Sequence, residues 1–271
     1  MSGDLPIPKV DIIVPVYNAE KFIAACIDSL LSQTYSNVEI IMVYSKSTDN
    51  TLRVLEKYRT KIKLIKQEKK NPAIARNEGL RHANGKYIAF CDADDFFAPE
   101  KIEKQVMFLE NNPDIGLVYT DTIRIDHNGN EIDRIRSHEW DRDYWLSHRF
   151  ITFSSVVLRK CLLDKIGYFD PQLDAVEDFD LLIRLSEVTE FKRIPEFLTY
   201  YRVHATNLSN DINKVNIARK NVFKKHKMYK QYISHLFWLI PMDYTKLKIR
   251  EHPALSYFFR KIKKLIFCFQ R

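Results

Sequence analysis

The sequence predicts an α/β fold: a doubly wound, mainly parallel sheet followed by a helical basic tail. Three observations predict it. Short β-rich or apolar runs alternate with helical patterns through residues 10–95 and read βαβαβαβ. Right-handed crossovers turn that order into a parallel sheet with helices on both faces. The fourth run, Tyr87 to Cys91, ends abruptly in the carboxylates Asp92, Asp94 and Asp95. Ligands of open α/β sheets bind outside the carboxyl ends of the strands, where these acids would sit. The tail is set apart by charge: residues 211–271 hold 15 Lys+Arg against 3 Asp+Glu, leaving 28 against 32 in the first 210.

The elements follow in order. Val10 to Val16 is β-rich and ends in Pro15-Val16-Tyr17-Asn18, a strand running into a loop. Phe22, Ile23, Cys26, Ile27, Leu30 and Leu31 share one helical face, and Gln33-Thr34-Tyr35 marks its end. Val38 to Val43 is an unbroken buried-strand run. Ser47-Thr48-Asp49 offers N-cap chemistry to a helix carrying Leu52, Leu55 and Tyr58. Ile62 to Ile65 is a third strand, and Ala73 to Ala83 is a helix with Arg76 and Asn77 in its first turn. Asn84-Gly85 is a turn signal before the acidic strand.

Beyond Pro99 a helix runs to about Asn112, with Ile102, Val106 and Leu109 inward. Gly116 to Ile125 reads as a strand, and His127-Asn128-Gly129-Asn130 as a hairpin turn. Residues 134–149 read as irregular. Phe150 to Leu158 is a strand, and Leu162 to Ile166 a short helix stopped by Gly167. Glu177 opens a helix with Leu181, Leu182 and Leu185 inward. Phe191 to Ile194 and Leu198 to Val203 are strands. The simplest division is a catalytic domain, 1–210, and a basic aromatic tail, 211–271.

Composition is that of a soluble globular protein of 271 residues with net charge +8. No apolar run reaches the roughly 18 residues of a membrane span. Met1 to Val10 lacks an apolar signal core, so the expectation is a cytoplasmic chain. Cys26, Cys91, Cys161 and Cys268 have no paired spacing and read as thiols of a reducing compartment, with no zinc site.

Three acids at the end of a buried strand repel one another and are costly to desolvate. A hard cation such as Mg²⁺ or Mn²⁺ would remove that cost. A solvated acidic loop capping the next helix is the plainer reading of the same residues.

The order of motifs resembles a known family. Val10 to Lys21, Ser-Gln-Thr-Tyr (32–35), Ser-Thr-Asp-Asn-Thr (47–51), Ala-Arg-Asn-Glu-Gly-Leu (75–80) and Asp-Ala-Asp-Asp (92–95) look like the nucleotide-sugar half of the family 2 inverting glycosyltransferases. Glu-Asp-Phe-Asp-Leu-Leu-Ile-Arg (177–184) and Tyr-Tyr-Arg-Val-His (200–204) resemble the acceptor half. The resemblance covers roughly residues 10–210 and implies the glycosyltransferase A fold, with 10–120 binding the nucleotide sugar and 121–210 the acceptor.

It also implies roles. Pro15, Val16, Tyr17 and Asn18 would border the nucleotide base and ribose, with an aromatic ring available for stacking. Arg76, near a helix N-terminus, would contact the base or diphosphate. Asp92 and Asp94 would face the nucleotide sugar, and Asp94, Asp95 and His204 the Mn²⁺ or Mg²⁺. Asp178 would be the general base that takes the acceptor hydroxyl proton, with Glu177 orienting the acceptor. Should Asp178 not take that proton, Glu177, or Asp174 on the preceding loop, is the next candidate.

One departure stands out. Where the family usually has Asp-Asp-Gly-Ser after the second strand, this chain has Tyr44-Ser45-Lys46-Ser47. Ser45 can meet a base edge but brings no charge, so donor-base choice is left open. The departure also suggests a rival, a degenerate sugar-nucleotide-binding subunit. A nucleotidyltransferase is a second rival, but the glycine-rich basic loop it needs after the first strand is missing. The tail interleaves Lys/Arg with aromatic residues, His235 to Pro241 and Tyr257 to Phe269 above all. That pattern fits contact with an anionic membrane, a pair of helices packed on the catalytic domain, or a nucleic-acid surface. Taken together, the expectation is a metal-dependent inverting transfer from a nucleoside-diphosphate sugar, UDP first. The acceptor would be a glycan or lipid-linked glycan, reached through peripheral membrane contact and without nucleic acid.

Overall fold

The computed structural model describes residues 7–148, 151–173, 175–205, 207, 210–228 and 231. Asp174 and the two aromatic stretches of the tail lie outside the described residues. The chain divides into two compact units, 1–140 with 151–218, and 141–150 with 219–271. In the second, α5 (Arg142–His148) is capped by Asp141, whose carboxylate accepts from the Tyr144 N–H at 2.8 Å.

The first unit is built on one nine-stranded sheet. Its first half is β1 (Val10–Val16), β2 (Val38–Ser45), β3 (Lys63–Gln67) and β4 (Tyr87–Phe90), ordered β3-β2-β1-β4 and all parallel. β1 and β4 are buried on both faces, which is why they read as near-continuous apolar runs. The order reverses at β1, so a crevice opens between the carboxyl ends of β1 and β4.

The second half is mixed. β8 (Val157–Arg159) runs antiparallel between β4 and β6 (Ile115–Ile125). β9 (Glu190–Arg202) lies parallel to β6, and β5 (Phe96–Phe97) closes that edge antiparallel to β9. β7 (Glu131–Ile135) pairs only with β6, through the expected hairpin. Two expectations change here. Phe150 to Leu158 is not one strand: Phe153–Ser155 is a 3₁₀ turn leading into β8. The two strands expected between Phe191 and Val203 are one, and its register shifts opposite Thr120-Asp121 where Pro195 cannot join the ladder.

Helices α1 (Ile23–Leu31), α2 (Thr51–Glu56), α3 (Pro72–His82), α4 (Lys101–Asn111), α6 (Lys160–Ile166) and α7 (Glu177–Leu185) complete the unit, and α8 (Ile212–Lys225) runs on across its boundary. α1 buries Ile23, Cys26, Ile27 and Leu30, the i, i+3, i+4, i+7 stripe. Phe22 stands outside it as the cap residue. α3 starts sharply because Asn71 accepts from the Ile74 N–H at 2.9 Å and Pro72 fills the first position. Gly79 lets α3 press on the sheet: a Cβ there would sit 2.5 Å from Ile13 Cγ2. Asp11, wholly buried in β1, accepts from the N–H groups of Asn84 and Gly85 at 2.6 Å each and so fixes the turn that aims β4.

Candidate active site

The crevice is lined by loops that leave β1, β2 and β4, by α3, by the start of α7 and by the end of β9. Pro15 and Val16 finish β1, with Val16 buried. Tyr17 is half-buried, and Lys70 Nζ stands 4.0 Å from its ring centroid. Asn18 takes a left-handed conformation, φ 46°, that asparagine tolerates. Its side chain accepts from the Thr48 N–H at 2.9 Å, and its own N–H donates to Ser47 Oγ. The β1 loop is therefore tied to the β2 loop. Ser45 is buried at the end of β2, and its hydroxyl accepts from Gln67 at 2.9 Å.

Beyond β4 the three acids diverge. Asp92 is half-buried in the crevice and accepts from Arg76 Nη2 at 2.6 Å. Asp94 Oδ2 lies 2.8 Å from His204 Nε2. Asp95, expected beside Asp94 in the metal set, instead points inward and is 1% exposed. One of its oxygens accepts from Ser154 Oγ at 2.6 Å, the other from the Arg202 N–H at 2.9 Å. Burial, with Asp94 and Asp92 close by, pushes its carboxyl well above the usual carboxylate range. Its geometry is that of a strut under the loop.

Arg76 is the fifth residue of α3, in its second turn, not at the helix N-terminus. It is 5% exposed. Its terminal nitrogens bind Asp92 and Glu177, where contact with a base or diphosphate was expected. The rings of Phe153 and Phe169 lie 5.3 and 5.7 Å from the guanidinium. Burial alone would lower its proton affinity, but Asp92, Glu177 and Asp178 together hold it above the ordinary arginine value. The carboxyls respond in kind. Burial raises both Asp92 and Glu177 above their usual range, against the pull of Arg76.

Glu177 and Asp178 open α7. The residue before them, Val176, has φ 56° and ψ 26°, a left-handed conformation that is strained for a β-branched side chain. The Asp178 carboxylate accepts from the Phe179 N–H at 2.7 Å and is only partly buried.

Three residues give the crevice its shape without having been singled out by the sequence. Ser154 Oγ also accepts from the Asp92 N–H, at 3.1 Å, so one hydroxyl holds both ends of the acidic loop. Arg202 donates to the carbonyls of Asp94, Asp126 and His127. Phe22 stacks on His204 with ring centroids 4.7 Å apart. Among the described residues no group of three His, Cys, Asp or Glu side chains converges as a metal site. No described helix is long and apolar enough to cross a membrane.

A sequence model of the family "Glycosyl transferase family 2" matches residues 11–166. The chain is 33% identical over 226 residues to a UDP-Glc:alpha-D-GlcNAc-diphosphoundecaprenol beta-1,3-glucosyltransferase, WfaP, of Escherichia coli, covering 79% of this chain and 85% of that one. Among solved structures, S. aureus TarS 1-349 in complex with UDP-GlcNAc matches with a TM-score of 0.64 at 21% identity, over 85% of this chain and 71% of that one. Mannosyltransferase PcManGT from Pyrobaculum calidifontis, in complex with GDP-Man and Mn²⁺, matches with a TM-score of 0.64 at 17% identity, over 96% and 81%. At those identities the structural likeness is one of fold.

Proposed function

The chain belongs to glycosyl transferase family 2 and is a glycosyltransferase of the A fold, and from that premise we propose an inverting transfer from a UDP-sugar to a hydroxyl of a glycan carried on lipid or on a growing polysaccharide. The observation that carries this reading is the Arg76 bridge. It draws the start of α7, and with it Asp178, to Asp92 at the mouth of β4. A base and a donor-binding carboxylate must stand that close if both serve one reacting carbon.

In this reading the base of the nucleotide rests on Tyr17, beside Pro15, Val16, Asn18 and Ser45. Asp92 meets the donor sugar or ribose. Asp94 and His204 form a mixed oxygen–nitrogen pair that would hold Mn²⁺ more readily than Mg²⁺, whose preferred ligands are all oxygen. The chemistry a cation held there would supply is neutralisation of charge on the leaving diphosphate. Asp95 supports Asp94 from beneath and holds no metal. Asp178 accepts the proton of the acceptor hydroxyl as that oxygen attacks the anomeric carbon from the face opposite the diphosphate. Glu177, fixed by Arg76, holds the helix start in place and faces the acceptor. Residues 10–120 serve the donor, with His204 reaching back to it from the second half, and the rest of 121–210 serves the acceptor. The net positive tail, 211–271, is the segment suited to an anionic cytoplasmic membrane surface, where a lipid-linked acceptor would be presented. A relative whose name gives a diphosphoundecaprenol acceptor supports the lipid-linked acceptor, not the role of the tail.

A thermal-shift screen of UDP, GDP and CDP sugars, with Mn²⁺ and with chelator, tests the donor. A UDP-sugar should raise the melting temperature, and more so with Mn²⁺, because a ligand of the native state stabilises by mass action. A shift from GDP- or CDP-sugars alone, or none from any donor, would contradict it.

A further inference from the structure

We propose that Phe22 is a positioning residue for the diphosphate end of the donor site: its ring holds the His204 imidazole in the orientation that meets Asp94. The inference rests on the reading of Asp94 and His204 as the metal-binding pair.

Phe22 is an apolar residue that the fold leaves out of its core. It precedes α1 as the cap, half-buried, and takes no part in the main apolar cluster. Its ring instead meets two residues from the end of β9. His204 stacks on it at 4.7 Å with planes 29° apart. The Arg202 guanidinium lies 4.9 Å from the same ring. Both of these residues hold Asp94. His204 reaches the carboxylate through Nε2 at 2.8 Å, and Arg202 donates to the Asp94 carbonyl at 2.9 Å.

The platform is itself fixed. The Phe22 N–H donates to the Ala19 carbonyl at 3.0 Å. Ala19 N–H donates to Thr51 Oγ1 at 2.8 Å, Glu20 N–H to Asp49 at 3.1 Å, and Glu20 accepts from Asn50. The ring therefore carries the rigidity of the β1 and β2 loops to the far side of the crevice. A histidine's ring torsion is broad on its own, so the aim of the imidazole depends on the groups packed against it. A stacked partner supplies that aim, and aromatic pairs contribute beyond simple burial.

Phe22→Leu keeps an apolar side chain and removes the ring; Phe22→Tyr keeps the ring. Calorimetry of UDP binding, with Mn²⁺ and with EDTA, reads the effect. Phe22→Leu should lower the Mn²⁺-dependent gain in UDP affinity by about twofold to tenfold, the worth of an aromatic pair. Affinity in EDTA should be unchanged, and Phe22→Tyr should restore the gain. Histidine-labelled NMR of the metal-free protein should show the His204 ring resonances displaced in Phe22→Leu and returned in Phe22→Tyr. An undisturbed His204 resonance in Phe22→Leu, or a loss of UDP affinity equal with and without Mn²⁺, would overturn the proposal. So would a full Mn²⁺ gain in that variant. Absence of any Mn²⁺ gain in the wild type would overturn the metal reading, and with it the role given to Phe22, even if the stack itself is seen by NMR.

Discussion

Arg76 binds Glu177 from 101 residues away in the sequence, while its other terminal nitrogen binds Asp92. One buried cation thus joins the acidic loop after β4 to the start of α7. Removing it would leave Glu177, 6% exposed, without its counter-charge. Arg76→Ala should therefore lower stability by about 3–5 kcal/mol, the usual cost of breaking a buried ion pair. Arg76→Lys, a point charge without the fork, should fall between. Urea unfolding of the three proteins checks the order, and an Arg76→Ala protein as stable as wild type would refute the bridge.

The divergent acids predict unlike variants. Asp94→Asn should lose the Mn²⁺-dependent part of UDP affinity, because it removes a charged oxygen ligand. Asp95→Asn should keep that affinity, since amide and carboxyl can make similar bonds to Ser154 and the Arg202 N–H. Its carboxyl is raised well above the ordinary range by burial, so an uncharged replacement relieves a cost at neutral pH. Calorimetry that finds the two variants equally impaired would refute the distinction.

A third prediction concerns Lys101 at the start of α4. Its ammonium is fully buried, makes no hydrogen bond, and lies 3.9 Å above the Phe97 ring. Burial pushes its pKa down to about 7, with only the Cys91 thiol acting against that. The folded value lies below the unfolded one, so the unfolded chain binds more protons between about 7 and 10.5. This group's contribution to stability is present above 10.5 and lost as pH falls through 7. Lys101→Met should raise the melting temperature at pH 7, with the gain shrinking toward pH 10. A gain independent of pH would contradict the buried charge.

Much of the first half of the sheet was legible because its strands are buried on both faces. β1, β2 and β4 read as nearly continuous apolar runs, and α3 begins one residue before the expected Ala73. The second half was harder to read. Two-residue β5 has no period to detect, and Ser154 and Ser155 turn an apparent strand into a 3₁₀ turn by bonding Asp95 and Thr152. The runs 191–194 and 198–203 read as two strands, but a register shift at Pro195 joins them into β9. In the crevice, the acids were visible as a cluster of charge at a strand end. Their separate orientations were not, because they depend on Ser154 and Arg202, 59 and 108 residues away. Phe22 was read as part of a helical stripe; only the fold brings it to His204.

The central claim is that Asp178 deprotonates the acceptor within a site that binds a UDP-sugar independently of it. Asp178→Asn tests this most directly, because it keeps shape and removes the proton acceptor. The measurement is sugar transfer from a UDP-sugar to a lipid-linked glycan, paired with UDP affinity in the same variant. Transfer should fall by a factor on the order of 10² to 10⁴, with UDP affinity unchanged, because the loss lies in the transition state. A folded Asp178→Asn protein that transfers sugar at the wild-type rate would contradict it.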